Sequence, residues 1–207
     1  ARYAWGPDYH RVLGDKLEAI ARETGAGVTT CDATDTASVA ALFDAATAHF
    51  GAPPQVVVYN ASQRVRGAFV DVDACAVEQA VRITAFGAFL VAQHAARSML
   101  RQGHGAILFT GASAGVKGFA QSAAFAMGKF ALRGLAQSLA RELAPLGIHV
   151  GHVVIDGGIR PSGDPGADTK DDRLDPDAIA ASYVHLLSQP RNAWTWEIEL
   201  RPWVERF

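Results

Sequence analysis

A glycine-rich turn at residues 108–118 (LFTGASAGVKG) is the segment whose residue types point most directly to chemistry. It resembles a turn that holds phosphate groups at a helix N-terminus after a β-strand. Gly111 and Gly115 fit such a fingerprint, but Lys117 stands where the last glycine belongs. The fingerprint also requires an acidic residue at the end of the next strand, about 20 residues later. Here the next predicted strand ends at Asp156, about 40 residues later. This spacing argues against a dinucleotide phosphate loop at this place.

One cation and several hydroxyls lie near this turn in the sequence. Lys129 follows it in the segment FAMGK, and Thr84, Thr110, Ser113 and Ser122 supply hydroxyl groups. A hydroxyl without an activating base is a poor acid at neutral pH. Any proton transfer by these residues therefore needs a partner that lowers the pKa of the hydroxyl.

Composition and charge narrow the class of protein. The 207 residues suit one domain, 1–207, with a sizeable core, because 49% of them are hydrophobic and 19% charged. A net charge of −2 gives no reason to expect nucleic acid or an anionic membrane as a partner. The N-terminus lacks the layout of a signal peptide, and no apolar run reaches membrane-spanning length. We therefore expect a cytoplasmic protein without a membrane partner.

The cysteines and histidines do not form a metal-binding pattern. Cys31 and Cys75 lack metal-ligand spacing, and we expect both to be reduced thiols. The seven histidines show no paired helical spacing, and His149 and His152 fall on opposite faces of a predicted strand. We therefore expect no metal site.

Strand-like runs alternate with helical patterns along the chain. Strands are predicted at 27–31, 55–59, 106–110, 148–155 and 194–200, and the run at 55–59 is of the kind buried on both faces. Helices are predicted at 15–24, 36–50, about 74–102, about 123–146 and 175–189, with Thr36 and Asp175 as N-caps. This alternation predicts a mostly parallel sheet with helices on both faces. The polar, glycine- and proline-rich segment 160–176 has the composition of a loop that covers a ligand.

Several of these segments resemble the short-chain dehydrogenase/reductase (SDR) family, over about residues 16–200. The similarity is carried by VTTCDATD, by NAS after VVVY, by ILFTGASAG and by FAMGKFALRGLAQSLARELAPLGIHV. It implies an α/β fold with a Rossmann-like, doubly wound sheet. In this family the glycine-rich turn at 108–118 corresponds to the fifth strand, whose end carries a catalytic serine.

The resemblance implies a catalytic tetrad, of which this sequence keeps one member. The family's tyrosine, serine and asparagine positions fall on Phe125, Ala112 and Thr84, and Lys129 matches the lysine. In the family, that lysine lowers the pKa of the tyrosine, which transfers the proton. Ser113 and Ser122 are the candidate substitutes: Ser113 is adjacent to Ala112 and faces the other way, whereas Ser122 lies one helical turn before Phe125.

The resemblance also implies NAD or NADP as cofactor. Asp32 would then meet the adenine, Asn60 and Ala61 the adenosine ribose, Lys129 the nicotinamide ribose, and Asp156 and Gly157 the nicotinamide amide. Each position has a structural alternative. Asp32 would cap the following helix, Asn60 would tie strands together, Lys129 would be a cleft lysine, and Asp156-Gly157 would form a turn.

The family's first strand and its glycine-rich turn have no counterpart in this sequence. A parallel crossover needs a dozen or more residues, and those before residue 15 are too few for two strands and a helix. Residues 9–13 (YHRVL) fit a remnant of the second strand. A missing central strand would leave apolar edges unpaired. Either further residues of the protein or another segment or chain would fill the gap, and NAD(P) binding is in doubt without the turn.

The long helices 74–102 and 123–146 match those through which the family assembles. Both mix small and apolar residues, which favours burial on more than one face. We expect a homodimer or homotetramer, or a hetero-oligomer with a catalytic SDR, through these helices. The small residues are Ala85, Gly87, Ala88 and Ala92 on the first, and Ala124, Ala131, Gly134 and Ala136 on the second.

Two functions follow from the resemblance. The first is a catalytically impaired pseudo-dehydrogenase that acts as a non-catalytic or ligand-binding subunit. The alternative is an active NAD(P)-dependent oxidoreductase of a carbonyl or alcohol substrate with an atypical active site.

Overall fold

The computed structural model of the chain describes residues 17–19, 21–161 and 171–205. Four strands form one sheet in the order β1-β2-β3-β4, and every neighbouring pair is parallel. This confirms the predicted α/β, Rossmann-like sheet. The strands are β1 (Val56–Tyr59), β2 (Gly105–Thr110), β3 (Ile148–Ile155) and β4 (Glu197–Leu200).

Helices connect the strands and lie on both faces of the sheet. Residues 17–19 and 21–24 are helical, whereas residues 9–13 and 162–170 fall outside the described part of the chain. The labelled helices are α1 (Thr36–Phe50), α2 (Ala74–Val81), α3 (Gly87–Gln102), α4 (Ala123–Leu143) and α5 (Pro176–Ser188). A π-helical turn, Arg82–Phe86, joins α2 to α3 without a break.

The predicted N-caps are right for α5 and wrong by one residue for α1. The Asp175 carboxylate accepts a hydrogen bond from the backbone N–H of Asp177, as predicted. At α1 the cap is Asp35, whose carboxylate accepts from Ser38 N at 2.7 Å, and Thr36 is the first helical residue. A carboxylate placed one residue earlier takes the capping position because it reaches the first free N–H groups.

The predicted strand at 27–31 is wrong, because this segment forms no strand ladder with any described part of the chain. All of its residues are exposed, and none belongs to the four-stranded sheet described above. The next backbone N–H, that of Asp32, donates to Ser38 Oγ instead of a strand carbonyl. A strand requires a neighbouring ladder, and no described strand lies beside this segment.

The two faces of the sheet are covered unequally. On one face α1, α3 and α4 bury a large core around Phe109, Ile107 and Met99. On the other face α5 covers β2 to β4 with a smaller cluster that includes Leu108, Val153 and Leu186. The alternation of side chains along each parallel strand divides the two cores.

The first strand is buried on one face only, which corrects the prediction for 55–59. Val57 and Tyr59 pack into the larger core, but Val56 and Val58 are 45% and 48% exposed. These two valines point to the face that α5 covers only over the other strands. In the described part of the chain, this apolar strand therefore has one covered face and one uncovered face.

Most of the small residues singled out on the long helices are used inside the chain. Gly87, Ala88 and Ala92 are buried against the sheet and its neighbours, as are Ala124 and Ala136. The segment Ala74–Gln102 is long and apolar enough to cross a membrane by length and composition, contrary to the expectation that no segment would be. One face of this segment packs into the core, as the central helix of a soluble fold does.

Candidate active site

The first turns of α4 carry the two residues that define the site. Phe125 and Lys129 lie four residues apart, so both face the carboxyl end of β2. Lys129 is only 3% exposed, and its Nζ donates to the backbone oxygen of Thr110 at 2.7 Å. The same Nζ lies 5.7 Å from the centre of the Phe125 ring. The retained lysine therefore points at an aromatic ring that has no proton to give.

Two glycines allow backbone segments to approach this part of α4. A Cβ on Gly115 would lie 2.9 Å from the backbone oxygen of Lys129, so the turn after β2 rests directly on the helix. A Cβ on Gly128 would lie 2.9 Å from the Thr84 Cβ. Thr84 sits in the π-helical turn, a distortion that is frequent at functional sites. The fold thus brings Thr84, Lys129 and the glycine-rich turn together.

The predicted substitute hydroxyls lack an activating base among the described residues. Ala112 is extended, and Ser113 begins a short 3₁₀ turn, Ser113–Gly115. Ser122 is buried at the N-terminus of α4, but its hydroxyl does not cap the helix. Thr84 Oγ1 accepts a long hydrogen bond from Gln63 N at 3.3 Å. The described contacts give none of these hydroxyls a carboxylate or imidazole partner.

Arg64 is a site residue that the sequence reasoning missed. Its guanidinium carbon lies 4.4 Å from the centre of the Phe125 ring, within the range of cation–π contact. Burial lowers the pKa of Lys129 to about 8, and the positive charge of Arg64 adds to this shift. The two cations are therefore close enough to repel each other. The sequence signal for this cation was the basic segment QRVR, which directly follows the NAS motif.

A second missed residue is Tyr183 on α5. Its hydroxyl and Thr110 Oγ1 are 2.7 Å apart, at the same strand end whose carbonyl holds Lys129. Burial raises the pKa of Tyr183, so this phenol is a weaker acid than a free tyrosine. It serves to fix the position of Thr110.

The Asp156-Gly157 turn after β3 forms a separate charged cluster. Asp156 is 4% exposed and lies 3.3 Å from Arg201 and 4.0 Å from Lys117. Gly157 has a φ of 148°, and a Cβ there would meet the Pro202 ring at 2.7 Å. This supports the turn interpretation, and the interaction with a nicotinamide amide stays a prediction.

The other predicted cofactor residues lie at strand ends or loops with local roles. The Asp32 carboxylate accepts from Thr34 N and Thr34 Oγ1, both at 2.8 Å, and so forms a turn before α1. Asn60 and Ala61 follow β1 and are exposed. No hydrogen bond of the Asn60 side chain ties strands together among the described residues. Their contact with a nucleotide stays a prediction.

Part of the site fits a nicotinamide cofactor and part of it does not. The buried Lys129 ammonium has three N–H donors and uses one, so it can donate to ribose hydroxyls. No glycine-rich phosphate turn opens a helix in the described residues. The described residues thus fit the ribose end of the cofactor and lack an anchor for its pyrophosphate.

A charge cluster in which a cation and a carboxylate are paired lies one turn further along α4. Arg133 donates from Nε and Nη2 to the two Glu197 carboxylate oxygens, each at 2.7 Å, and His152 Nδ1 lies 2.9 Å from the same carboxylate. Burial lowers the pKa of His152 despite this carboxylate, so the ring is neutral at pH 7. Burial alone would raise the pKa of Glu197, but the hydrogen bonds from Arg133 and His152 leave it lowered. This cluster ties α4 to β3 and β4.

A Rossmann-like sheet with a lysine-bearing helix at its carboxyl edge defines the class of the protein. A family model described as enoyl-(acyl carrier protein) reductase matches residues 7–193. The chain belongs to the short-chain dehydrogenase/reductase family. Its relatives are named as reductases and oxidoreductases.

Curated relatives cover different shares of the chain. It is 35% identical over 136 residues to the 3-oxoacyl-(acyl-carrier-protein) reductase MabA of Mycobacterium tuberculosis, which covers 63% of this chain and 54% of MabA. The chain thus spans about half the length of this relative. An uncharacterized oxidoreductase of Staphylococcus aureus is 27% identical over 194 residues, 91% of this chain and 82% of its own.

Solved structures match the fold over most of the chain. A short-chain dehydrogenase from Rhodopseudomonas palustris has a TM-score of 0.77 at 34% identity, covering 92% of this chain and 83% of that protein. An alcohol dehydrogenase from Thermococcus sibiricus, complexed with 5-hydroxy-NADP, has a TM-score of 0.80 at 23% identity, covering 93% and 84%. The second likeness concerns the fold alone.

Proposed function

We propose that this SDR-family oxidoreductase homologue is catalytically impaired and serves as a ligand-binding or non-catalytic subunit. The observation that carries the proposal is the Phe125 ring beside the Lys129 ammonium, at 5.7 Å. General acid–base catalysis needs a proton-bearing group within hydrogen-bonding distance of the reacting oxygen. Phe125 and Ala112 offer none, and the neighbouring hydroxyls lack a base. The site keeps its shape for binding and loses its proton relay.

The remaining residues have binding roles in this proposal. Lys129 holds a ligand oxygen or a ribose hydroxyl, and Thr84 donates its hydroxyl proton into the cleft. NAD or NADP, when bound, would supply a hydride. Lys129 would meet its ribose, with Asp32, Asn60, Ala61, Asp156 and Gly157 as the further contacts expected from the family.

Restoring the two lost groups tests the proposal. Full-length wild-type protein is expected to give at most trace turnover of an aldehyde and ketone panel with NADPH or NADH. The double variant Phe125→Tyr/Ala112→Ser should raise turnover by about 10²–10⁴-fold, the usual contribution of general acid–base catalysis. Phe130→Tyr, on the exposed side of the same helix, is the matched control. Robust turnover by the wild-type protein would refute the impairment.

A second candidate function is an active oxidoreductase in which Lys129 is itself the acid. A pKa of about 8, caused by burial and then by Arg64, is well placed for proton transfer near neutral pH. In this case wild-type turnover falls as the pH rises through about 8, since the ammonium is the active form. Lys129→Met should abolish turnover, and an unchanged rate in that variant would exclude this candidate.

We also propose that the long helices assemble the protein, with a second copy of the chain as the first partner to test and a catalytic SDR as the alternative. Several apolar side chains on these helices remain 41% to 54% exposed, among them Phe86, Phe89, Met127 and Phe130. Phe86 and Phe89 stack at 6.3 Å. Sedimentation velocity of the purified protein should show a dimer or tetramer that Phe89→Glu/Phe130→Glu converts to monomer. A wild-type monomer would contradict self-association.

A further inference from the structure

The two cations around Phe125 have no counter-charge in the part of the chain that the structure describes. Arg64 forms no ion pair there, and the described contacts of Lys129 are the Thr110 carbonyl and the Phe125 ring. The nearby acidic side chain Asp156 is occupied by Lys117 and Arg201. Buried or ring-bound charges are normally paired, because an unpaired charge in a poorly solvated place is costly.

We propose that this pair of cations, which both lie close to the Phe125 ring, is a specificity site for a carboxylate group on the ligand. The inference rests on the proposed function, in that it assigns the ligand class of the same site. Arg64 is not one of the positions at which the family's catalytic tetrad or its cofactor contacts are expected.

The geometry fits a carboxylate group. The Arg64 guanidinium presents a planar fork of N–H donors that matches two carboxylate oxygens, and this side chain is exposed. Lys129 is buried beneath and has two N–H donors free of described contacts. A carboxylate group has two oxygens, which can accept from the guanidinium and from the ammonium.

The partial neutralisation of Lys129 supports this assignment. Its pKa is held near 8 by burial and by the charge of Arg64, and no negative charge in the described part of the chain opposes this shift. A bound carboxylate would favour the charged ammonium and raise this pKa. The ligand and the protonated lysine therefore stabilise each other.

Benzoate is the probe that tests the inference, with calorimetric titration of the full-length protein at pH 7 and fixed ionic strength. Arg64→Gln should weaken benzoate binding by about tenfold or more, since a hydrogen bond to a charged group is lost. Arg66→Gln removes the same charge two residues along the same loop and should leave the affinity within about twofold. Lys129→Met should also weaken binding.

The outcomes separate the inference from the proposed function. No benzoate binding, or equal effects of Arg64→Gln and Arg66→Gln, overturns the carboxylate site, whereas the turnover tests of Phe125→Tyr/Ala112→Ser still decide the impairment. Phosphate that binds as tightly as benzoate and competes with it also overturns the carboxylate assignment. Arg64-dependent benzoate binding supports it, whether or not the wild-type protein turns over NADPH.

Discussion

Lys129 and Arg133 lie one turn apart on α4 and differ in their burial and in whether a negative charge pairs with them. Arg133 forms two hydrogen bonds to Glu197, which also meets His152, so its charge is matched. Lys129 is more deeply buried and meets one carbonyl and one aromatic ring, with a second cation nearby. A paired cation holds the fold together. An unpaired buried cation costs stability, and we infer that the chain retains it for binding.

The largest expected effect comes from removing the unpaired charge. Below pH 8 the Lys129 ammonium is charged in both states, so its burial penalty is fully present. Lys129→Met should therefore stabilise the protein at pH 7 by about 3 kcal/mol, which is the equivalent of the pKa shift from 10.5 to about 8. Urea denaturation measures this difference.

The pH dependence gives the sign of the same prediction. Between pH 8 and 10.5 the unfolded chain holds more protons on this lysine than the folded one, so wild-type stability rises with pH. The advantage of Lys129→Met should shrink over this range. Arg97→Met, at an exposed arginine for which no ion pair is described, is the control and should change stability by less than about 0.5 kcal/mol. A destabilised Lys129→Met protein would show that the lysine is structural.

The next effect comes from breaking the paired charge. Arg133→Ala leaves the mostly buried Glu197 carboxylate with His152 alone, and should destabilise the fold by about 2 kcal/mol in urea denaturation. Arg141→Ala is the matched control, because that arginine is exposed and bonds only a carbonyl of its own helix. Equal losses in the two variants would contradict a specific role of the Arg133–Glu197 pair.

The smallest effect distinguishes the glycines beside each cation. Gly128→Ala brings a Cβ to 2.9 Å from Thr84, and should cost about 1–2 kcal/mol because a packed helix contact must open. Gly134→Ala meets nothing within 4 Å and should stabilise the helix by about 0.5–1 kcal/mol. Thermal unfolding of the two variants checks the opposite signs. Equal shifts would mean that α4 does not press on the π-helical turn.

Prediction from the sequence succeeded where the residue types and spacing within one segment determine its structure. The strands β2 and β3 are short, mostly apolar segments, and α4 shows apolar residues at helical spacing. The one-turn spacing of Phe125 and Lys129 on that helix follows from the pattern.

Prediction failed where a second segment decides the outcome. Residues 27–31 have strand-forming types, yet a strand exists only beside another strand. The burial of β1 depends on which helices cover each face of the sheet, and the sequence of β1 does not show which face is covered. For the same reason the approach of Arg64 to Phe125 was missed, because a loop residue has no periodicity to show where it points.

The sequence by itself determined the alternation of strands and helices, the family, and the loss of the hydroxyls at Phe125 and Ala112. These depend on residue types and local spacing, which remain readable in one dimension. Only the tertiary structure decided that Lys129 is buried with no counter-charge among the described residues, while Arg133 has one. Charge pairing depends on side chains far apart in the chain meeting across helix and sheet, so it exists only after folding.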